Sequence, residues 1–159
     1  MDMANVSIRD VRLGQGVVAA VLHVAAASAR GSRELAMELD AAREAVNSET
    51  GRQRYPAPFD ASFSQHLSPR AFADLLQRQR STDLALESLH AGVKLLHTDE
   101  PELLGMYGEL VMVAANAAAQ VRTEDGLFGW RRIEYSERRA LDQIRSIVTP
   151  PHIWHAKLD

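Results

Sequence analysis

Apolar positions recur with helical rather than strand spacing through almost the whole chain, and the interruptions fall at capping and breaking residues. From Val17 to Ala29 the residues are nearly all apolar, which predicts a first helix from about Ser7 to Ala29 with most of its circumference buried. Gly31 breaks it, and Ser32 caps a second helix that ends near Asn47, with Glu34, Glu38 and Glu44 assigned to its solvated side. Residues 48–68 hold Gly51, Pro56 and Pro58 and read as a long irregular crossover in which Tyr55, Phe59, Phe63 and Leu67 anchor onto the core. Ser68-Pro69 sets a serine cap before a proline at the first helical position, starting a third helix that runs to about His97. Thr98 or Asp99 then caps a fourth helix across Pro101, from Leu103 to Val121.

So short a link makes the third and fourth helices an antiparallel hairpin, about 69–97 and 101–121, expected at the centre of the fold. Asp125-Gly126 marks a turn or short β-hairpin near 123–133, through Phe128, Trp130 and Ile133. A fifth helix, Ser136 to Val148, stops at Pro150-Pro151. The expected fold is all-α: one domain over residues 1–150, a bundle of about five helices, followed by a tail, 151–159, that docks through Ile153 and Trp154.

The fourth helix carries an unusual pattern. Its only strongly polar side chains are Glu109, Asn116 and Gln120, and at 100° per residue they fall within about 40° of one another, with Glu102 on the same line. A helix with so narrow a polar stripe belongs at the centre of a fold or of an oligomer. Across the hairpin, Gln120, Asn116, Glu109 and Glu102 pair off with Gln79, Asp83, His90 and His97 as a ladder. Helix handedness decides whether the ladder closes. If Leu86, Leu89, Val93 and Leu96 face Leu103, Met106, Leu110 and Val113, the two stripes emerge on opposite flanks. They meet only if the fourth helix turns Leu104, Val111, Met112 and Ala115 toward the third instead.

Composition narrows the classes open to such a bundle. With 46% apolar and 25% charged residues the chain has the makeup of a soluble globular domain. A net charge of −3, spread evenly, leaves no basic arm for nucleic acid. The one basic cluster, Arg131, Arg132, Arg138, Arg139 and Arg145, is interleaved with Glu134, Glu137 and Asp142 and reads as a salt-laced solvent face. The absence of cysteine removes disulfides, thiolate metal sites and a cysteine nucleophile, and suits a reducing cytoplasm. The run Val17–Ala29 has the look of a secretory signal. However, Asp2, Arg9, Asp10 and Arg12 before it give no net positive charge and His23 interrupts it, so it reads as a retained core helix. As a run it is shorter than the roughly 20 residues that span a bilayer. No nucleic acid and no membrane are expected as partners.

Three clusters carry candidate chemistry. Glu87 and His90 stand three apart on one helical face, and Glu109 would join them if the ladder closed, giving a Glu, His, Glu set able to hold a divalent metal. That spacing supplies half of the di-iron carboxylate pattern, whose second Glu-x-x-His is missing here. The acidic run Glu34, Glu38, Asp40 and Glu44 resembles that of all-α nucleotide pyrophosphohydrolases of the MazG type, which hold magnesium on carboxylates from two helices. The resemblance implies a metal-dependent hydrolase in which Glu109 opens the second acidic motif. The chain departs from that pattern in the spacing of both runs and in having Met112 where an Asp is needed. Trp130, Arg131 and Arg138 could stack on and pair with an anionic small ligand or nucleotide. His152 and His155 lie in the tail without further fixed ligands, and His23 reads as a satisfied core histidine.

No phosphate loop, nucleophile elbow or zinc signature is present. The leading expectation is a small helical binding or regulatory protein that works through helix faces, as a homo-oligomer and with a protein partner, and needs no cofactor. The alternatives are a metal-dependent hydrolase using a divalent ion at Glu87, His90 and Glu109, and an anionic-ligand binder.

Overall fold

The apolar run near the N-terminus becomes α1 (Ile8–Ala27), and the other helices are arranged around it. The structure, a computed structural model, describes residues 8–27, 32–52, 55–67, 69–78, 82–121 and 135–149. Five further α-helices follow: α2 (Ser32–Thr50), α3 (Pro69–Arg78), α4 (Thr82–Asp99), α5 (Leu104–Ala119) and α6 (Tyr135–Val148). Short 3-10 helices, Phe63–His66 and Pro101–Leu103, precede α3 and α5, and no strand occurs among the described residues. The all-α bundle expected from the pattern is what forms. Three boundaries differ: α2 continues past Asn47 to Thr50; the third helix is present as α3 and α4, with residues 79–81 between them outside the described set; and α4 runs on to Asp99, so Thr98, bonded back to the Lys94 carbonyl, and Asp99 end that helix and do not cap the next, whose 3-10 turn starts after Glu100. The turn or hairpin expected near 123–133 and the tail 151–159 also lie outside the described residues.

Every residue of α1 from Leu13 to Ala25 is buried except Gln15, which is half-buried. A helix apolar on all sides is stable in water only when others enclose it, and α2, α3, α4, α5 and α6 all pack on α1. Among the described residues α1 is the one helix long and apolar enough to cross a bilayer, and 67% of that stretch is buried inside the bundle. The two arms of the expected hairpin are consecutive and joined by the short link Pro101–Leu103, but direct contact between α4 and α5 is slight. Instead α4 packs mainly along α1, while α5 packs on α2 and α1. The buried stretch of α1 from Leu13 to Ala25 needs partners on both sides and supplies the contact that the hairpin arms would otherwise make to each other.

The tightest junction lies where α1, α4 and α5 meet. Tyr107 of α5 is fully buried, and its hydroxyl donates to the Leu13 carbonyl at 2.7 Å. Gly16 and Gly92 make the room: a Cβ at Gly16 would overlap the Tyr107 hydroxyl, and one at Gly92 would stand 2.8 Å from it. Burial alone holds the phenol neutral, its pKa raised far above the ordinary value. Phe59 stacks on the Tyr107 ring with centroids 5.9 Å apart and meets Phe63 edge-on at 5.2 Å.

Those aromatics belong to the crossover between α2 and α3. As expected from the sequence, Phe59, Phe63 and Leu67 are core residues, with Tyr55 half-buried against them. Successive tight turns hold the segment, with Phe59 N donating to Pro56 O at 2.9 Å, Phe63 N to Asp60 O at 3.0 Å and Leu67 N to Ser64 O at 3.1 Å. Asp60 accepts from both the backbone N–H and the hydroxyl of Ser62, which lowers its pKa. His66 lies so close to α1 that a Cβ at Gly14 would meet the His66 Cβ at 2.8 Å.

Two acidic residues are not where the sequence put them. Glu38 and Glu137, both assigned to solvated faces, are buried at 1% and 0% exposure. The reason is register: Glu38 follows Leu35 by three and precedes Ala42 by four, and Glu137 precedes Ala140, Leu141 and Ile144 on the inward face of α6. Of the basic cluster, Arg138, Arg139 and Arg145 are exposed as expected and Arg145 pairs with Asp142 at 3.5 Å, while Arg131, Arg132 and Glu134 lie outside the described residues. His23 is a buried histidine bonded through Nε2 to Gln143 Oε1 at 2.7 Å, while its buried Nδ1 has no hydrogen-bond partner among the described residues, so the expected satisfied core histidine is met at one ring nitrogen only.

Candidate functional site

One side of α5 is left open between α2 and the end of α6. Gly105 has open space where a Cβ would stand, Glu109 and Gln120 are exposed, and Met112, Val113, Asn116 and Ala117 are half-buried. This is the polar stripe seen on the helical wheel, together with the small and apolar residues that flank it. Facing it are Glu49 from the last turn of α2 and Tyr55 from the crossover, and between them runs an open groove of about 540 Å³.

Tyr55 ties the two walls together. Its hydroxyl lies 3.2 Å from Glu49 Oε1 and 3.2 Å from Glu109 Oε2, so one O–H is shared between two carboxylates. Burial, the hydrogen bond and charge of Glu49, and then the charge and hydrogen bond of Glu109 push its pKa up to about 12. At neutral pH the phenol is therefore protonated and acts as a hydrogen-bond donor. Arg52 Nη1 stands 3.6 Å from Glu49 on the exposed rim. Asn116 commits its amide N–H to the Met112 carbonyl of the previous turn, at 2.8 Å.

Chemically the groove combines two carboxylates with a floor of thioether, isopropyl and methyl groups. That combination suits a cation carried on an apolar body, such as a lysine or arginine next to a large side chain. Among the described residues only two carboxylates, Glu49 and Glu109, face the groove, and no three His, Asp or Glu side chains gather there. A second, smaller groove of about 320 Å³ is lined by Asp40, Arg43, Glu44, Asn47 and Ser64. There Arg43 lies 3.8 Å from Asp40, so opposite charges already compensate each other.

The ladder does not close. His90 and His97 are exposed on α4, whereas Glu109, Asn116 and Gln120 line the groove toward α2. Gln79 lies outside the described residues and the side chain of Asp83 is likewise undescribed. Neither packing alternative holds in its simple form. Leu103, Leu104, Leu110 and Val111 are all buried, because α1, α2 and α6 pack on α5 while α4 barely touches it.

Glu87, His90 and Glu109 are each exposed, Glu87 and His90 together on one face of α4 and Glu109 apart on the groove side of α5, and among the described residues no three His, Asp or Glu side chains gather as a metal site. Within the acidic run, Glu38 is buried while Asp40 and Glu44 are exposed, so these acids do not share a face; the Glu34 side chain is outside the described set. Of the anionic-ligand trio, Arg138 is exposed on α6, and Trp130 and Arg131 lie outside the described residues, as do Ile153 and Trp154.

Sequence reasoning missed Glu49 and misread Tyr55 as a core anchor alone. Glu49 was assigned to the crossover because α2 was ended at Asn47. Extending the inward pattern Leu39, Ala42, Val46 to Thr50 would have kept Glu49 on the helix beside that face. No family model matches the chain, and comparison with curated proteins and with solved structures found no match.

Proposed function

We propose that this chain is a small helical interaction protein, not an enzyme, that docks a basic and apolar segment of a partner protein in the groove between α2 and α5. The observation that carries the reading is the Tyr55 hydroxyl shared between Glu49 and Glu109 beside the half-open apolar residues Met112 and Val113. Arg52 already offsets Glu49, so the charge offered to a partner is that of Glu109 on the exposed face of α5, and a cationic side chain beside it would pair with it. The half-buried floor gives an adjoining large side chain surface to cover, at roughly 25 cal/mol per Å² of apolar area removed from water.

A fragment titration tests this. N-acetyl-Trp-Lys-amide is added to methyl-labelled full chain, and the Met112 and Val113 methyl resonances are followed. Saturable shifts centred on these methyls, weakened several-fold by Glu109→Gln and absent with N-acetyl-Trp-Glu-amide, are expected. Shifts scattered over the surface, or equal responses to the two dipeptides, overturn the reading.

A further inference from the structure

We infer that the chain carries its own occupant for this groove: the C-terminal segment 150–159 docks there and competes with any partner. The inference rests on the groove being a docking surface, and it adds regulation of that surface. Three observations lead to it.

The first is where α6 ends. A Cβ at Gly108 would lie 3.4 Å from the Cβ of Val148 and 3.3 Å from the Val148 carbonyl, so the last turn of α6 sits directly on α5. Glu109 is the next residue of α5, and on a helical wheel Met112 lies about 40° from Gly108 and Glu109 about 100° from it. The chain therefore leaves α6 at the edge of the open face.

The second is reach. Trp154 is five residues beyond Thr149, which spans up to roughly 17 Å extended. Val113 is five residues beyond Gly108 along α5, about 7.5 Å. The whole of the groove side of α5, to Gln120, lies within about 18 Å of Gly108.

The third is chemistry. Segment 150–159 reads Pro-Pro-His-Ile-Trp-His-Ala-Lys-Leu-Asp. It sets Ile153 and Trp154 four and three residues before Lys157, a pairing of apolar bulk with one cation of the kind that the groove beside Glu109 calls for; Asp159 falls two residues past that lysine, beyond the pairing. Pro150-Pro151 prevents α6 from continuing straight past the groove.

Tryptophan fluorescence of the full chain provides the test, because Trp130 and Trp154 are its two tryptophans. In a Trp130→Phe chain, Trp154 is expected to emit to the blue of a solvated tryptophan and to resist acrylamide. Val113→Glu in the groove, or Lys157→Glu in the segment, should raise acrylamide quenching several-fold. Lys157→Glu leaves the bundle untouched, so the test stands even if Val113→Glu perturbs folding. Solvent-like quenching in the parent and both variants overturns the inference. Protection that disappears on dilution also overturns it, by assigning the segment to a second copy's groove.

A synthetic peptide of residues 149–159, added to full-length Trp154→Ala, separates the two levels. Saturable peptide binding that Glu109→Gln weakens, alongside a solvated Trp154 in the intact chain, sinks the self-docking while keeping the groove as a docking surface. Loss of both sinks the docking surface as well.

Discussion

Two tyrosines on opposite sides of α5 divide the molecule into a part that specifies the fold and a part that is free to bind. Tyr107 enters a gap made by two glycines, gives its proton to a helix carbonyl, and is held neutral by burial alone. Tyr55 lies half-buried at a groove, its proton shared by two carboxylates from different elements, and is held neutral by burial and charge together. The same side chain thus serves as a rivet where its surroundings cannot adjust and as a clasp where they can. A site that keeps its floor half-exposed next to so rigid a junction is pre-organised, which limits the ordering cost of binding.

The contrast breaks most visibly at Gly16. Gly16→Ala should destabilise the protein by about 2 kcal/mol, because the buried, hydrogen-bonded Tyr107 hydroxyl in the way of the new methyl puts overpacking at the top of its usual range, about 3 kcal/mol, less the roughly 1 kcal/mol that alanine gains over glycine in a helix. The melting temperature should fall by roughly 4–8 °C. Adding Tyr107→Phe to that variant should recover part of the loss, because the hydroxyl is the atom the new methyl meets; simple additivity in thermal melts would refute the account. On its own, Tyr107→Phe should cost about 1 kcal/mol, the usual worth of a lost buried hydrogen bond.

Changes at Tyr55 should leave the melt almost unmoved, with Tyr55→Phe within about 0.5 kcal/mol of the parent. Its effect belongs to pH. A phenol whose folded pKa is raised to about 12 from the ordinary 10.0 favours the fold while protonated. That contribution is intact below about pH 10 and is lost as pH rises through 10 toward 12. Glu109→Gln should bring the Tyr55 pKa down, as read from its ring carbon shift in an NMR titration; an unchanged value would remove Glu109 from the clasp. The smallest expected response is to metal. Millimolar Mg²⁺ or Mn²⁺ should leave the melting temperature of the full chain where it was, and a clear rise would return Glu87, His90 and Glu109 to consideration as ligands.

The bundle was legible because helix starts and stops are written locally. Ser32, Pro69, Pro101 and the aromatic spacing Phe59, Phe63, Leu67 each act within a turn or two of themselves, and each falls where the structure has it. Partner choice was not legible. Which face of α5 meets α1 and which meets α2 depends on how much apolar circumference α1 must bury, a property of the whole assembly. Glu38 and Glu137 show the same limit, because charge argued for solvent while register argued for the core. Glu49 and Tyr55 meet Glu109 across 60 and 54 positions of sequence respectively, and no spacing rule connects them.

The crossover changes what may be done to this chain from outside. Connecting segments are ordinarily the places where insertions, tags and new termini are tolerated. Here Phe59, Phe63 and His66 lie against Tyr107 and Gly14, so one extra residue between 58 and 67 would shift a wall of the interior. A reporter domain or a permuted terminus at the exposed Gly51-Arg52 would spare that wall, but it would part Arg52 from Glu49 and so loosen the clasp on Tyr55.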